Sequence, residues 1–367
     1  MNRNLGKILA IMSVALLLSA CGGAAASSWP ATVGNEGTVY LSNGMNLYSV
    51  DAQTGIEATL PTAEGNQPAR LPLNADGAVS FYAPVETKDD LLIIGNAATK
   101  GFQLYAIDSK NGLIKWVFDK ATTPWMAGVK VHKNTLFAPS GDGNLYLIDV
   151  ETGVQIGDPI KLSDHSLWTK PVSDGKNVFI ENMDHEIIAF DSEGNMTWKT
   201  ELDSSILGAP LVQGESLYVG TLTGNLYSLN ASDGTQNWSV DLEGNIWSTP
   251  ATDGTSVFVG TVNGNTGKFY SINMETGAIN WQKDEEGSII GSPAVEQGDI
   301  YYVTESGKLQ VVTSAGAPKW QAIIENAKYY TAPLIMDGLV ILAPMNSDYL
   351  LVAYDLQGAQ KWTFTGK

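Results

Sequence analysis

Leu104-Tyr-Ala-Ile-Asp-Ser-Lys-Asn-Gly-Leu-Ile-Lys-Trp116 decides the fold. It begins as a short apolar strand, turns between Asp108 and Gly112, and leaves through a second strand that carries Trp116. Its first half returns at Leu47-Tyr-Ser-Val-Asp51, Leu145-Tyr-Leu-Ile-Asp149, Ile187-Ile-Ala-Phe-Asp191, Leu226-Tyr-Ser-Leu-Asn230 and Phe269-Tyr-Ser-Ile-Asn273. Weaker copies stand at Leu309-Gln-Val-Val-Thr313 and Leu351-Val-Ala-Tyr-Asp355, which makes eight. The copies lie about 40 residues apart, with one wider step between positions 47 and 104.

Two further signals keep this period. An apolar residue stands three before a Pro at Phe81…Pro84, Trp168…Pro171, Leu207…Pro210, Trp247…Pro250, Ile290…Pro293 and Tyr330…Pro333. By the same spacing Trp125 is paired with Gly128, and Trp29-Pro30 opens the first copy. A short apolar strand follows seven residues later, as in Leu217-Tyr-Val-Gly220 and Val257-Phe-Val-Gly260. Each unit thus holds four short β-runs: A around the Pro, B, C (the Leu-Tyr-x-x-Asp run) and D through the Trp. Four strands in a period near 40 make a propeller blade, which buries both faces only by stacking on its neighbours. The expected fold is all-β: an eight-bladed β-propeller with four antiparallel strands per blade, seven blades being the fallback.

The repeated residues have mechanical work. An Asp side chain bonds backbone N–H groups of its own turn, and the Gly takes the positive φ the turn needs. The Trp is a large apolar wedge with one N–H to donate. Trp116, Trp198, Trp238, Trp281, Trp320 and Trp362 are therefore expected to be docking residues between blades, the first and third copies having none.

The first residues are a targeting segment. Arg3 and Lys7 precede the apolar run Ile8–Leu17, which is too short to span a bilayer as a helix. Leu18-Ser19-Ala20-Cys21 follows, then the small, polar stretch to Ser28. This resembles the lipobox of bacterial lipoproteins and implies cleavage after Ala20 and lipid attachment at Cys21. Residues 1–20 are then the signal peptide, 21–28 a tether and 29–367 one propeller domain. Two or three acyl chains anchor stably where one is marginal, so the expected location is the outer side of a cell-envelope membrane, the outer membrane where there is one. Cys21 is the only cysteine, so disulfides and thiolate chemistry are excluded once it is lipidated. Loss of Arg3 and Lys7 takes the net charge from −18 to −20, which repels nucleic acid and anionic headgroups.

The pattern Ala-x-Asp-x-x-x-Gly-x-x-x-Trp, met at Ala106 to Trp116, is the docking motif of the quinoprotein-like (PQQ-repeat) propellers, and the resemblance runs over about residues 29–365. Lipobox, eight such repeats and this length together resemble the BamB family, lipoprotein subunits of the outer-membrane β-barrel assembly machinery. The resemblance implies a monomeric, non-catalytic scaffold without a cofactor, bound to envelope proteins such as a barrel-assembling protein. In that family an inter-blade loop rich in Leu with an Arg contacts the partner. Here the corresponding Lys161-Leu-Ser-Asp-His-Ser-Leu-Trp168 has leucines and no Arg.

Rival chemistries find little support. A quinone-dependent dehydrogenase of the same blade type would carry a Ca²⁺-bound quinone and often a vicinal Cys pair. The Cys pair is impossible here, and no Asp-x-Asp-x-Asp calcium loop occurs. No Gly-x-Ser-x-Gly elbow or phosphate-cradling loop is present. His165 beside Asp164, and His185 between Asp184 and Glu186, fall on loops of one propeller face and are weak metal candidates; His132 falls on the opposite face.

Candidate contact residues for a protein, peptide or sugar are Trp125, Trp168, Trp247 and Tyr330, with Phe81 in the same frame. They either ring the axial mouth on the D–A/B–C face or pack as core between A strands. Tyr329, the Thr261–Lys268 loop and the Pro344–Tyr349 loop would flank that mouth, and Pro61–Val79 with Arg70 is a second contact element or a plain insertion.

Overall fold

The computed structural model describes residues 30–44, 46–62, 65–68, 81–97 and 101–366. Cys21, its signal segment and tether, Trp29 and Arg70 lie outside the described residues. The chain is an eight-bladed β-propeller of four antiparallel strands per blade. The first blade is Ala31–Asn35, Thr38–Asn43 and Asn46–Asp51. Its fourth strand is reduced to a bridge between Val50 and Glu57, beyond which Thr59–Thr62 pairs with Gly65–Pro68 as a hairpin. Blades 2 to 5 begin their inner strands at Glu86, Lys130, Val172 and Leu211, and blades 6 to 8 at Ala251, Ala294 and Leu334. Each of these seven is a sheet of four strands in sequence order.

Burial explains the order. Strands B and C are covered on both faces: Val178–Glu181 and Ser216–Gly220 are almost wholly buried. The outer strands Met196–Glu201, Gln236–Asp241 and Pro318–Ile323 instead alternate exposed and half-buried residues, the signature of a sheet edge with one face in water. Among the described residues eight apolar clusters fill the interior, one at each junction between blades. Tyr218, Leu226, Val257 and Ile272, for example, join blades 5 and 6. Val39, Leu41, Ile341 and Leu351 join blade 1 to blade 8. The inner strands of blades 1 and 8 pack together, which closes the ring.

All six repeat tryptophans span a junction in one way. The Nε1–H of Trp116 donates to Val150 O at 2.9 Å, and that of Trp362 to Ala52 O at 3.0 Å. Trp198, Trp238, Trp281 and Trp320 donate to Ala231, Met274, Ser314 and Leu356 at 2.8–3.1 Å. Each acceptor directly follows the turn Asp, Asn or Thr of the next blade. Each indole also lies on the turn glycine of that blade: a Cβ at Gly55, Gly153, Gly234, Gly277, Gly316 or Gly358 would stand 2.5–3.0 Å from the ring. These glycines have φ between 70° and 92°, so the position needs Gly for its backbone and for the ring above it.

The turns come in two lengths. Gly55, Gly112, Gly153, Gly234 and Gly277 bond back to the residue four before, as the Asp-x-x-x-Gly spacing predicts. Gly194, Gly316 and Gly358 bond back to the residue three before, one residue tighter. The turn carboxylates accept local N–H groups: Asp149 Oδ1 takes Glu151 N and Thr152 N, and Asp191 Oδ1 takes Glu193 N and Asn195 N. The Thr152 hydroxyl on Asp149 and the Asn195 amide on Asp191, together with these N–H bonds, hold both carboxyls below the usual Asp range.

Candidate functional site

The D–A and B–C loops meet at one end of the ring. Asn245 bridges to Val262, and Lys328 to Met345, so each of these D–A loops is tied to the B–C loop of the following blade. His165 Nδ1 lies 2.7 Å from Asp184 Oδ1 across the junction of blades 3 and 4, which brings these two loop clusters together. His185 has φ +73° and its C=O accepts from Leu202 N. Gly143, Gly224 and Gly307 fill the same slot in their blades, accepting from Leu162, Leu242 and Ile324. His185 is thus a turn residue in a glycine position. Among the described residues no three His, Asp or Glu side chains converge as a metal site would need. His132 is buried at the other end, its Nδ1 2.8 Å from Ser173 Oγ, and burial lowers its pKa.

The entry to strand A corrects one frame. Trp125 N–H donates to Asn96 O, as Leu167 N–H does to Ser140 O, Ile246 N–H to Thr221 O and Ile289 N–H to Thr261 O. Phe81, Trp125, Leu167, Ile206, Ile246, Ile289 and Tyr329 each stand five residues before the first residue of strand A. All seven are buried. Trp125 is therefore equivalent to Leu167, one place off the expected match with Trp168. It is wholly buried against Phe118 and Tyr146, so it is core and not a mouth residue. Phe81 and Tyr329 are core for the same reason. The next position holds Tyr82, Met126, Trp168, Leu207, Trp247, Ile290 and Tyr330, and every one of these is half-buried. That is the ring of apolar side chains at the head of the inner strands.

Below the ring lie ionisable groups. Glu86, 6% exposed, accepts Lys130 Nζ at 2.9 Å and Lys170 Nζ at 2.6 Å. Its burial opposes ionisation, but Lys170 and Lys130 outweigh it and hold the carboxyl below its usual range. Glu181 has no such partner. It ends strand B of blade 4, where blades 2, 5 and 6 have Gly95, Gly220 and Gly260. Thr169 Oγ1–H donates to its Oε2 at 2.8 Å, while Oε1 is buried without a partner among the described residues. Burial pushes its pKa up to about 8. The sequence reading did not single out Glu181; its signal is an acid at the end of Val178-Phe-Ile-Glu181, aligned with the glycine of Leu217-Tyr-Val-Gly220.

Carboxylates surround the mouth. From the blade 2/3 junction to the blade 7/8 junction they are Asp142, Asp184, Asp203, Glu243, Glu285 and Glu305. Asp142 and Asp203 are held ionised by hydrogen bonds that outweigh their burial: Thr122 N–H and Tyr146 O–H to the first, Thr223 and Asn225 to the second. Lys268 is already paired with Glu243 at 2.9 Å and Asp284 at 3.4 Å, and Lys328 with Glu305 at 3.5 Å.

Comparison with known proteins places this architecture. The BamB of Bordetella pertussis, an outer membrane protein assembly factor, is 28% identical over 145 residues, 36% of this chain and 37% of that protein's length. The crystal structure of BamB from Moraxella catarrhalis superposes with a TM-score of 0.65 at 17% identity, over 93% of this chain and 95% of that one. The computationally designed Ika8 protein superposes at 0.69 with 14% identity, over 94% and 98% of the two chains. These two likenesses are of fold. The family described as outer membrane protein assembly factor BamB matches residues 13–160, 159–245, 240–329 and 267–367, and the chain belongs to that family.

Proposed function

We propose that this chain is a non-catalytic, lipid-anchored scaffold of the cell envelope, tethered through Cys21 on the extracytoplasmic side, that serves in outer membrane protein assembly by binding protein partners. The observation that carries the reading is the family match along the propeller. The structure supports the non-catalytic part: the repeated Trp, Asp and Gly residues are taken up by docking and turn bonds. Near-copies of a reacting group in every blade make no chemical sense, whereas eight like turns and six indole clamps do. Fold alone does not confer function, so the partner must be found directly.

The test is chemical crosslinking in cells with the intact lipoprotein. We expect capture of an outer membrane protein assembly component, and a Cys21→Ser variant should move from the membrane to the soluble fraction. Repeated capture of no such component, or a bound quinone with dye reduction driven by an alcohol or sugar, overturns the proposal.

A further inference from the structure

The mouth combines an apolar ring with a surround in which carboxylates outnumber lysines, and this combination selects its occupant. Trp168, Leu207, Trp247 and Ile290 sit at the head of four successive inner strands, half-exposed where the D–A loops turn inward. Carboxylates stand at six successive junctions around them, that of Glu285 being buried under Tyr302 and Lys308 and the others reaching the rim. Lys161, Lys268, Lys308 and Lys328, which face the same end, are matched to acids already. Asp284, paired among the described residues through Lys268, keeps 86% of its side chain exposed, and Glu243 keeps 68%. A vesicle of anionic lipid is repelled by this surround, and so is a second copy presenting the same face. A flexible segment that brings an apolar side chain into the ring and cations to the rim satisfies both features.

We propose that the axial mouth docks a protein segment in which a large apolar side chain is flanked by lysine or arginine. This rests on the scaffold reading and gives the chemistry of one partner contact. The apolar anchor supplies the holding contact in a desolvated centre, while the rim charges speed encounter and reject acidic segments.

The test uses the mature full-length protein and three labelled peptides: one with a Trp-Leu pair between lysines and arginines, the same with glutamates for the cations, and the basic one with Ser-Ser for the pair. Fluorescence anisotropy at low and high salt reads binding. We expect saturable binding of the basic apolar peptide alone, loosened as salt rises past the screening range. Trp247→Ala, and independently the doubly reversed Glu243→Lys with Asp284→Lys, each weaken it by at least about tenfold, with the unfolding midpoint recorded for every variant. The charge-reversed protein keeps its core, so it decides the matter even where Trp247→Ala fails to fold. Equal binding of the acidic peptide, unchanged binding by the charge-reversed protein, no binding by any peptide, self-association through this face or adsorption to phosphatidylglycerol vesicles each overturns the proposal. In-cell capture of an assembly component alongside such a result leaves the scaffold reading standing and moves the contact to another surface.

Discussion

Replacing Trp362 by Ala is expected to cost about 3–5 kcal/mol of unfolding free energy, the usual loss for a buried Trp reduced to Ala. Trp362 closes the ring. It is 9% exposed, packs among Val50, Ala52, Leu351 and Phe364, and bonds Ala52 O across the only junction whose two blades are far apart in sequence. Blades 2 to 8 are joined each to the next by a short loop that holds them when packing weakens; the seam of blades 8 and 1 has no direct covalent link and relies on the inner-strand contact, the indole and its cluster. Trp362→Phe, which keeps a ring and loses the donor, should cost about 1–2 kcal/mol. Trp281→Ala is the control: that indole makes the same bond to Ser314 but remains half-exposed, and its blades are consecutive. Urea unfolding followed by intrinsic fluorescence and by circular dichroism measures all three. A loss for Trp362→Ala no larger than for Trp281→Ala would show that the seam is held by other contacts.

Glu181→Gln should abolish the pH dependence of stability that this buried carboxyl contributes in blade 4. The folded carboxyl titrates at about 8 because burial disfavours its charge, whereas an unfolded Glu titrates near 4.5. Below the unfolded value both states are protonated and the buried acid costs nothing extra. Between that value and about 8 the unfolded chain has released its proton and the folded chain has not, so stability falls as pH rises. The accumulated loss is on the order of a few kcal/mol by pH 8. Gln keeps an acceptor for Thr169 O–H and cannot ionise, so the variant lacks this slope. It also buries an amide N–H₂ where Oε1 has no partner, so it should be the less stable protein at pH 4 and the more stable one at pH 8. Thermal unfolding across that range should give crossing curves. Parallel curves would mean that Glu181 is ionised in the folded protein.

The blades were legible because each repeated residue answers a constraint that leaves little choice. The turn glycines need positive φ and room for an indole, and the Trp needs a carbonyl one residue past the turn Asp. Such demands fix both identity and spacing. The entry to strand A was misread by one residue where that rigidity lapses. Val85 and Val129 stand where later blades have Pro, and Gly128 beside Trp125 imitated the missing Pro. Burial alternates along this segment, so one residue of slip exchanges a core ring for a mouth ring. Trp125 and Trp168 look alike in sequence and differ in surroundings for that reason. Glu181 went unnoticed because nothing local marks it: its burial belongs to the folded propeller, and only alignment with Gly95, Gly220 and Gly260 exposes the substitution. His185 carries the opposite lesson. An ionisable side chain between two acids drew attention, while its backbone was doing the work of a glycine.

The scaffold account is tested most directly in the cell that makes this protein, by removing it and measuring the outer membrane proteome quantitatively. The account predicts that β-barrel proteins of the outer membrane fall in abundance, and that the wild-type chain restores them. Unchanged barrel-protein levels, together with loss of a quinone-dependent oxidation, would contradict it.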